Sequence, residues 1–396
     1  MTSAVNRERL TLSLWSGSPL ERLYRRVGLA DDEFELVRRR VFALLSMTWL
    51  PLLALTAVEG RAWGGITMPF LRDAGVQAKL LIALPLLIGG EVLVHRRVPD
   101  TVTQFVDRRI VAGAARPAFD EAVESAVALS RSAAAEVLSL ACVLGIGIGL
   151  GGLLSFAAPS GVTWYGEPAA SPAVLTLAGW WYALISRPLF QFVLIRWYYR
   201  LFIWARFLWR VSRLDLNLIP THPDRRAGLG FLSVVGYAFL PFLCAHGAIL
   251  AGMIANGVVY TGAPLATYQV ELVAGPIVAL LLVVGPEMVF SPRLWAAKRT
   301  ALLEYGALAE RYVREFENKW LRGQTSASES LLGTADIQSL ADLGNSLAVI
   351  ERMRLMPVTR DTLAILTAAT ALPLAALALT VISVSELLDR LLKILL

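Results

Sequence analysis

Long apolar runs are the feature that most constrains the fold of this chain. Several of them approach or exceed the ~18–20 residues that an α-helix needs to cross the roughly 30 Å hydrocarbon core of a bilayer. Charged residues make up only 17% of the 396 residues, whereas soluble domains contain about a quarter. We therefore expect an all-α fold, a polytopic transmembrane helix bundle.

The hydropathy pattern predicts about seven spans, the last of which begins near residue 361. The other six are expected at about 41–58, 79–95, 134–157, 173–200, 229–256 and 270–290. Arginines end the polar segment 1–40, and the loops 159–172 and 257–269 contain no Lys or Arg. Because cytoplasmic loops are enriched in Lys and Arg, this distribution predicts a cytoplasmic N-terminus.

This topology divides the chain into four parts. They are a basic cytoplasmic segment 1–40, a transmembrane bundle 41–292 that includes cytoplasmic helices 98–133, a cytoplasmic helical unit 293–360, and a last span with an amphipathic tail at 361–396. The helices 98–133 and 293–360 have apolar stripes at helical spacing, so they are expected to be amphipathic.

The stretch LIPTHPDRRAGLGFL (218–232) lies between two apolar runs. Its His-Pro-Asp triplet resembles a chaperone signature, but two flanking spans leave no room for the soluble unit which that signature requires. A helix start is the better interpretation. Thr221 and Asp224 fit a capping box, and Pro223 fits an early helical position where its missing N–H costs nothing.

The stretch GIGIGLGG (145–152) contains a formal dinucleotide-binding spacing inside an apolar run. A dinucleotide site needs a strand before it and a helix after it, so we predict no cofactor here. Gly145 with Gly149, and Gly147 with Gly151, instead form small-xxx-small pairs that favour helix packing.

Ionisable residues inside the predicted spans are the strongest functional signal. Glu91 and Arg187 are expected at similar depth, because both spans run from outside to inside. Since an unpaired charge there costs at least ~2.5–3.5 kcal/mol, we predict that the two pair or line one polar cavity. A purely structural pair is the alternative. Glu287 and His246 are further candidates for the same polar path.

Other chemistries have little support in the sequence. Three histidines and two cysteines occur without metal-ligand spacing, so no metal or other cofactor is expected. Arginines interleaved with aromatic residues at 196–213 fit lipid headgroup contact better than nucleic acid. We see no nucleophile–base pair and expect no enzyme. The expected partners are membrane lipids, further copies of the chain in a homo-oligomer, and a small ion or solute.

Four segments together resemble an uncharacterised family of bacterial multi-pass membrane proteins. They are THPDRRAGLGFL (221–232), AKRTALLEYGALAERYV (297–313), KWL (319–321) and LLGTADIQSLADL (331–343). The resemblance covers about the second half of the chain and implies the bacterial inner membrane, with no activity attached. With the polar groups above, we expect an oligomeric channel or transporter. A membrane scaffold using the cytoplasmic helices is the alternative, and a lipid-handling enzyme is the least favoured.

Overall fold

A computed structural model describes residues 33–145, 161–167, 174–323 and 335–377. These residues are mostly helical, with one antiparallel hairpin of two-residue strands, β1 (Gly166–Glu167) and β2 (Val174–Leu175). The expected all-α class is confirmed for the described residues.

The first half of the described chain is built around two long helices, α3 and α6. The helices are α1 (Glu33–Thr48), α2 (Leu50–Val58), α3 (Ala74–Asp107), α4 (Arg116–Ser130), α5 (Ala133–Gly145) and α6 (Leu177–Ser212). Two of these contain a π-helical turn, at Ala78–Ala83 in α3 and at Tyr182–Ser186 in α6. Short 3₁₀ turns occupy Phe70–Arg72 and Gly113–Ala115.

The second half contains one apolar helix and one very long helical run. A 3₁₀ segment Leu229–Phe239 leads into α7 (Leu240–Thr261). The long run consists of a 3₁₀ turn Leu265–Tyr268, α8 (Gln269–Val284), a 3₁₀ segment Gly285–Phe290, α9 (Ser291–Phe316) and a π turn Glu317–Leu321. Two shorter helices follow, α10 (Ala335–Glu351) and α11 (Arg360–Ala375).

Four helical runs are long and apolar enough to cross a membrane. They are Val37–Val58, Ala74–Asp107, Leu229–Thr261 and Leu265–Leu321. A fifth is obtained if Gly113–Ser130 and Ala133–Gly145, which meet at 47°, form one broken span. The spans expected at 173–200 and from 361 correspond to α6 and α11, which are not among them; α11 has 16 residues in the described part of the chain.

Helices α3 and α6 lie side by side and run in the same direction. Trp197 Nε1 donates to Leu87 O at 3.0 Å, and three residues further along α6 Arg200 reaches Glu91 of α3. Helix α7 runs in the opposite direction, because Asn256 near its end contacts Asp73 while Pro241 near its start approaches Gly90.

The same local features occur in the same order in α3 and α6. Each helix begins at a side-chain cap, Asp73 accepting from Val76 N and Thr176 accepting from Gly179 N. A π turn follows, and then a proline opens the next α-helical stretch, Pro85 in α3 and Pro188 in α6. The two caps and the two prolines are each separated by 103 residues. The two helices therefore share the same order of local features.

Large aromatic side chains fill the core between the helices. Trp164, Trp197, Trp204, Phe105, Phe119 and Phe242 are all almost fully buried. Edge-to-face pairs such as Phe105–Phe231, with ring centroids 5.0 Å apart, connect the bundle to the 3₁₀ segment before α7. Burying these rings holds the helices in fixed register around the sites described next.

Candidate functional site

A polar cavity of about 460 Å³ lies where α3, α6 and α7 meet. This volume is in the range of small-molecule sites in proteins. The polar side chains in its wall are Asp73, Lys79, Tyr165, Tyr182, Arg187, Gln191 and Asn256. Together with leucines, isoleucine and methionine from the same helices, they make an amphipathic chamber at the end of the bundle where α3 and α6 begin.

Both π turns border this cavity. Lys79 belongs to the π turn of α3, and Tyr182 and Arg187 begin and directly follow the π turn of α6. A π turn widens the helix and frequently occurs at functional sites. Two of them facing one polar chamber is the observation that singles out this region.

Asp73 organises one wall of the cavity. Its Oδ1 accepts from Val76 N at 2.9 Å and from Asn256 Nδ2 at 2.7 Å, and its Oδ2 accepts from Trp164 Nε1 at 2.9 Å. The Asp73 side chain is almost fully buried. Three donors therefore fix a carboxylate that joins α3, α7 and the loop before α6. Sequence reasoning missed Asp73 and Asn256, although a polar residue within or bordering an apolar run is a visible signal.

Two amide side chains present acceptor atoms that no described residue satisfies. Because the Asn256 amide nitrogen is committed to Asp73, its Oδ1 faces the other way, buried and without a hydrogen-bond donor among the described residues. Gln191 Oε1 is likewise buried without such a donor. Buried polar atoms are nearly always hydrogen-bonded, so these two acceptors are exceptions among the described residues of the cavity wall.

The charges in the cavity wall are mainly positive. Lys79 and Arg187 are half-buried there, and the Lys79 ammonium makes no salt bridge with a carboxylate among the described residues. Burial, and then the Asp73 carboxylate, raises the pKa of Tyr165 to about 12. The Tyr165 hydroxyl is therefore neutral at physiological pH and can donate a hydrogen bond.

The predicted pairing of Glu91 with Arg187 is wrong. Arg200 Nη1 donates to Glu91 Oε1 at 2.7 Å, and Arg40 Nη1 lies 3.6 Å from Oε2. Arg187 lies 13 residues before Arg200 on the same helix, about 20 Å along its axis at 1.5 Å per residue. The prediction failed because it counted depth from residues 79 and 173, whereas the helices begin at Ala74 and Leu177.

His246 bridges α7 and α6 in a neutral arrangement. Its Nδ1 lies 2.7 Å from Phe242 O, and its Nε2 lies 2.7 Å from the Tyr198 hydroxyl. A carbonyl oxygen only accepts, so Nδ1 carries the proton and Nε2 accepts from Tyr198. Both ring nitrogens of His246 are thereby satisfied, as expected for an interhelical hydrogen bond.

Glu287 lies in the 3₁₀ segment Gly285–Phe290 and is 2% exposed. Its Oε2 is buried without a hydrogen-bond partner among the described residues. Glu287 is not among the residues that line the cavity around Arg187, so the structure does not bring the two together there.

The helix start expected at Thr221 lies further along the chain. The 3₁₀ segment begins at Leu229 with Gly228 as its N-cap, so Thr221 and Pro223 lie upstream in a loop. Asp224 does bind helix-start amides, but from six residues away: its Oδ2 accepts from Gly230 N at 2.9 Å. The left-handed backbone of Arg225 (φ 54°), Ala227 (φ 52°) and Gly228 (φ 93°) delays the helix.

Asp224 holds this loop together. Its Oδ1 accepts from Arg226 N at 2.7 Å and from Gly228 N at 3.2 Å, and His222 Nδ1 is 3.0 Å away. Burial raises the pKa of the Asp224 carboxyl, but the three amide hydrogen bonds and His222 outweigh burial, so the net direction is downward. The buried Arg226 side chain then ties the loop to Met356 O at 3.2 Å and Val358 O at 3.4 Å.

The glycine-packing prediction falls mostly outside the described residues, which include Gly145 but not Gly147, Gly149 or Gly151. Gly145 is exposed, and a Cβ added there would meet no described atom within 4 Å. Within the described ranges, close helix contact is instead made by Gly90 against Trp197 and by Gly252 against Ala74.

In the part of the chain that the structure describes, no three His, Cys, Asp or Glu side chains come together as a metal site. No protein family, curated protein or solved structure matches the chain.

Proposed function

We propose that this protein is a channel or transporter of the bacterial inner membrane, acting as a homo-oligomer and carrying a small negatively charged solute. The observation that carries the proposal is the cavity between the two π turns, with Lys79 and Arg187 in its wall. Two cations in a chamber enclosed by membrane-type helices favour an anion.

A series of polar groups along α6 supports a path that leads away from the cavity. The series consists of Arg187, Gln191 and Tyr198, which lie on one face of α6, and of His246, which is bonded to Tyr198. It extends over about 17 Å at 1.5 Å per residue, which is about half of a bilayer core of roughly 30 Å. Glu287 is a further buried acid of the bundle, which we place on the path only as a prediction.

The matched construction of α3 and α6 also supports transport. Many transporters consist of structural repeats, and their substrate sites lie between the repeats at breaks in regular helices. Here the cap, π turn and proline recur at a constant spacing in two neighbouring parallel helices, and the cavity lies between the two π turns.

The test is anion flux into liposomes that contain the purified full-length protein. Uptake of small carboxylates and of phosphate should exceed uptake into protein-free liposomes. This uptake should fall about tenfold or more in the Lys79→Met and Arg187→Gln variants, because each substitution removes a charge that a bound anion would contact. Arg311→Gln, an exposed position on α9, is the matched control and should retain wild-type flux. Flux that is equal in all four proteins would contradict the proposal. Mass photometry of the same preparations tests the homo-oligomer.

A scaffold function is the second candidate, and one observation favours it. Helices α9 and α10 pack together beyond the bundle, where Lys319 Nζ and Trp320 Nε1 both donate to Asp336 Oδ2 at 2.9 and 3.0 Å. Leu303 and Leu321 remain 69% and 74% exposed on this unit. Replacing both leucines with Gln should abolish capture of a cytoplasmic partner and spare anion flux; loss of flux alone would count against the scaffold.

A further inference from the structure

An apolar groove lies beside the polar cavity. It has a volume of about 250 Å³ and lies among α6, α7, α8 and α11. Leu194, Ile249 and Met253 line both the polar cavity and this groove. The polar chamber and the apolar groove are therefore neighbours whose walls share these three side chains.

The groove continues to the outer surface of the bundle. A further depression of about 380 Å³ shares Tyr198, His246, Leu250 and Gly275 with the groove and extends along α8. Its outer wall includes Val270 and Val278, which are 74% and 55% exposed. In a membrane this face would meet lipid chains, so the groove lies between the polar cavity and the apolar phase.

Few unsatisfied polar atoms are available along the groove. Both nitrogens of His246 are used, one by Phe242 O and one by the Tyr198 hydroxyl. Gly275 packs closely against Leu250, because a Cβ at position 275 would lie 2.5 Å from Leu250 Cδ2, so a larger side chain there would displace Leu250. The groove is thus shaped for a hydrocarbon chain and offers little to a hydrated ion.

The wall of the cavity, by contrast, contains both cations and a hydrogen-bond acceptor, which would bind different polar groups of a ligand. Lys79 and Arg187 favour an anion. Asn256 Oδ1, whose orientation is fixed by the bond from its amide to Asp73, needs a hydrogen-bond donor. A ligand headgroup that carries a negative charge beside a hydroxyl satisfies both requirements.

We propose that the cavity and groove together bind a single-chain anionic amphiphile, with its charged, hydroxyl-bearing headgroup between Lys79 and Arg187 and its hydrocarbon chain along Ile249, Leu250 and Gly275. This inference rests on the proposed transport function, because it names the class of solute that the path would take from the membrane.

Binding to the full-length protein in nanodiscs of neutral lipid tests the proposal. Lysophosphatidylglycerol is the probe, lysophosphatidylcholine has the chain without net negative charge, and glycerol 3-phosphate has the headgroup without the chain. Lysophosphatidylglycerol should bind about tenfold or more tightly than either, since each comparison removes one of the two contact regions. Equal binding of lysophosphatidylcholine would overturn the headgroup assignment. Equal binding of glycerol 3-phosphate would show a site for a free anion instead.

Variants separate the two halves of the site. Lys79→Met and Arg187→Met should weaken lysophosphatidylglycerol binding about tenfold or more. The Lys79→Arg variant keeps the positive charge and should bind lysophosphatidylglycerol as the wild type does. Gly275→Leu fills the groove, so it should weaken lysophosphatidylglycerol and leave glycerol 3-phosphate unchanged. Gly306→Leu on α9, where a Cβ meets nothing within 4 Å, is the control for the glycine change. Thermal unfolding without ligand identifies any variant that fails to fold.

The outcomes also distinguish this inference from the proposed function. Wild-type flux of small anions, with no binding of lysophosphatidylglycerol, would overturn the amphiphile assignment and leave transport standing. Absence of both flux and binding would overturn both. Tight lysophosphatidylglycerol binding that Gly275→Leu does not change would place the chain outside the groove and overturn the assignment.

Discussion

Arg200 donates to Glu91 at 2.7 Å between two helices that run in the same direction. The Arg200 side chain is 4% exposed, and the Glu91 side chain is 18% exposed. Arg40 of α1 approaches the same carboxylate at 3.6 Å. The pair therefore joins α1, α3 and α6 at one level, away from the cavity. Its consequences for stability can be tested directly.

Glu91→Gln should lower the free energy of unfolding by about 3–5 kcal/mol, because a buried arginine then loses its carboxylate. Replacing both Glu91 and Arg200 with Met should restore stability to near the wild-type value, since no buried charge of the pair remains. Thermal and denaturant unfolding in detergent gives both values. A Glu91–Arg187 double-mutant cycle is the comparison, and it should be additive within about 0.5 kcal/mol. Strong coupling in that cycle would revive the pairing predicted from sequence.

Asp224→Ala should destabilise the protein by about 2–4 kcal/mol, because the amides of Arg226, Gly228 and Gly230 lose a shared charged acceptor. Asp224→Asn keeps one acceptor oxygen and should fall between wild type and Ala. Thr221→Ala is the informative control, with an expected change under about 0.5 kcal/mol, since Thr221 lies upstream of the helix start. An equal loss for Thr221→Ala would instead support the capping box.

The depressed pKa of Asp224 predicts an acid-dependent loss of stability. The unfolded chain binds the proton near the ordinary value of 3.8, while the folded state binds it at a lower pH. The stabilisation is therefore complete above about pH 4 and is lost as the pH falls through the folded-state pKa. Melting temperature measured between pH 3 and 6 on wild type and Asp224→Asn isolates this contribution. A constant difference between the two proteins across that window would contradict it.

Two backbone substitutions in the same loop should have opposite signs. Arg225 is exposed and has φ 54°, so Arg225→Gly should raise stability by about 1 kcal/mol by relieving a left-handed non-glycine residue. Gly228 has φ 93°, and Gly228→Ala should lower stability by at least about 1 kcal/mol. Arg354 donates its backbone amide to Arg225 O, which the glycine change leaves intact. Equal effects in the same direction would show that the loop conformation differs.

Glu287→Gln should preserve or raise the melting temperature. The side chain is 2% exposed, and no described cation forms a salt bridge with it, so a neutral amide avoids the cost of a buried, unpaired charge. Glu287→Lys should prevent folding, because it puts a longer charged group in the same place. A drop of several degrees in Glu287→Gln would reveal a required negative charge. If Glu287 belongs to the polar path, flux in Glu287→Gln should lose any dependence on pH.

The sequence was most informative where a single helix determines the outcome. Apolar runs locate Val37–Val58 and Leu229–Thr261 closely, because membrane helices depend on continuous hydrocarbon contact. The sequence did not predict which charged side chains pair between helices. Glu91 and Arg187 had suitable charges, but the π turns and the true helix starts set their relative height, and neither follows from composition. Asp73 and Asn256 were overlooked because these two residues, which bond to each other, lie 183 residues apart in the chain.

The π turns also set the rotational phase of everything that follows them in α3 and α6. A turn closed by i→i+5 hydrogen bonds accommodates one residue more than an α turn, and one residue corresponds to about 100° around a helix of 3.6 residues per turn. Deleting one residue from Ala78–Ala83 would straighten the turn and rotate Glu91 away from Arg200 by that angle. Any motion that interconverts π and α geometry beside the cavity would therefore twist the remote ion pair.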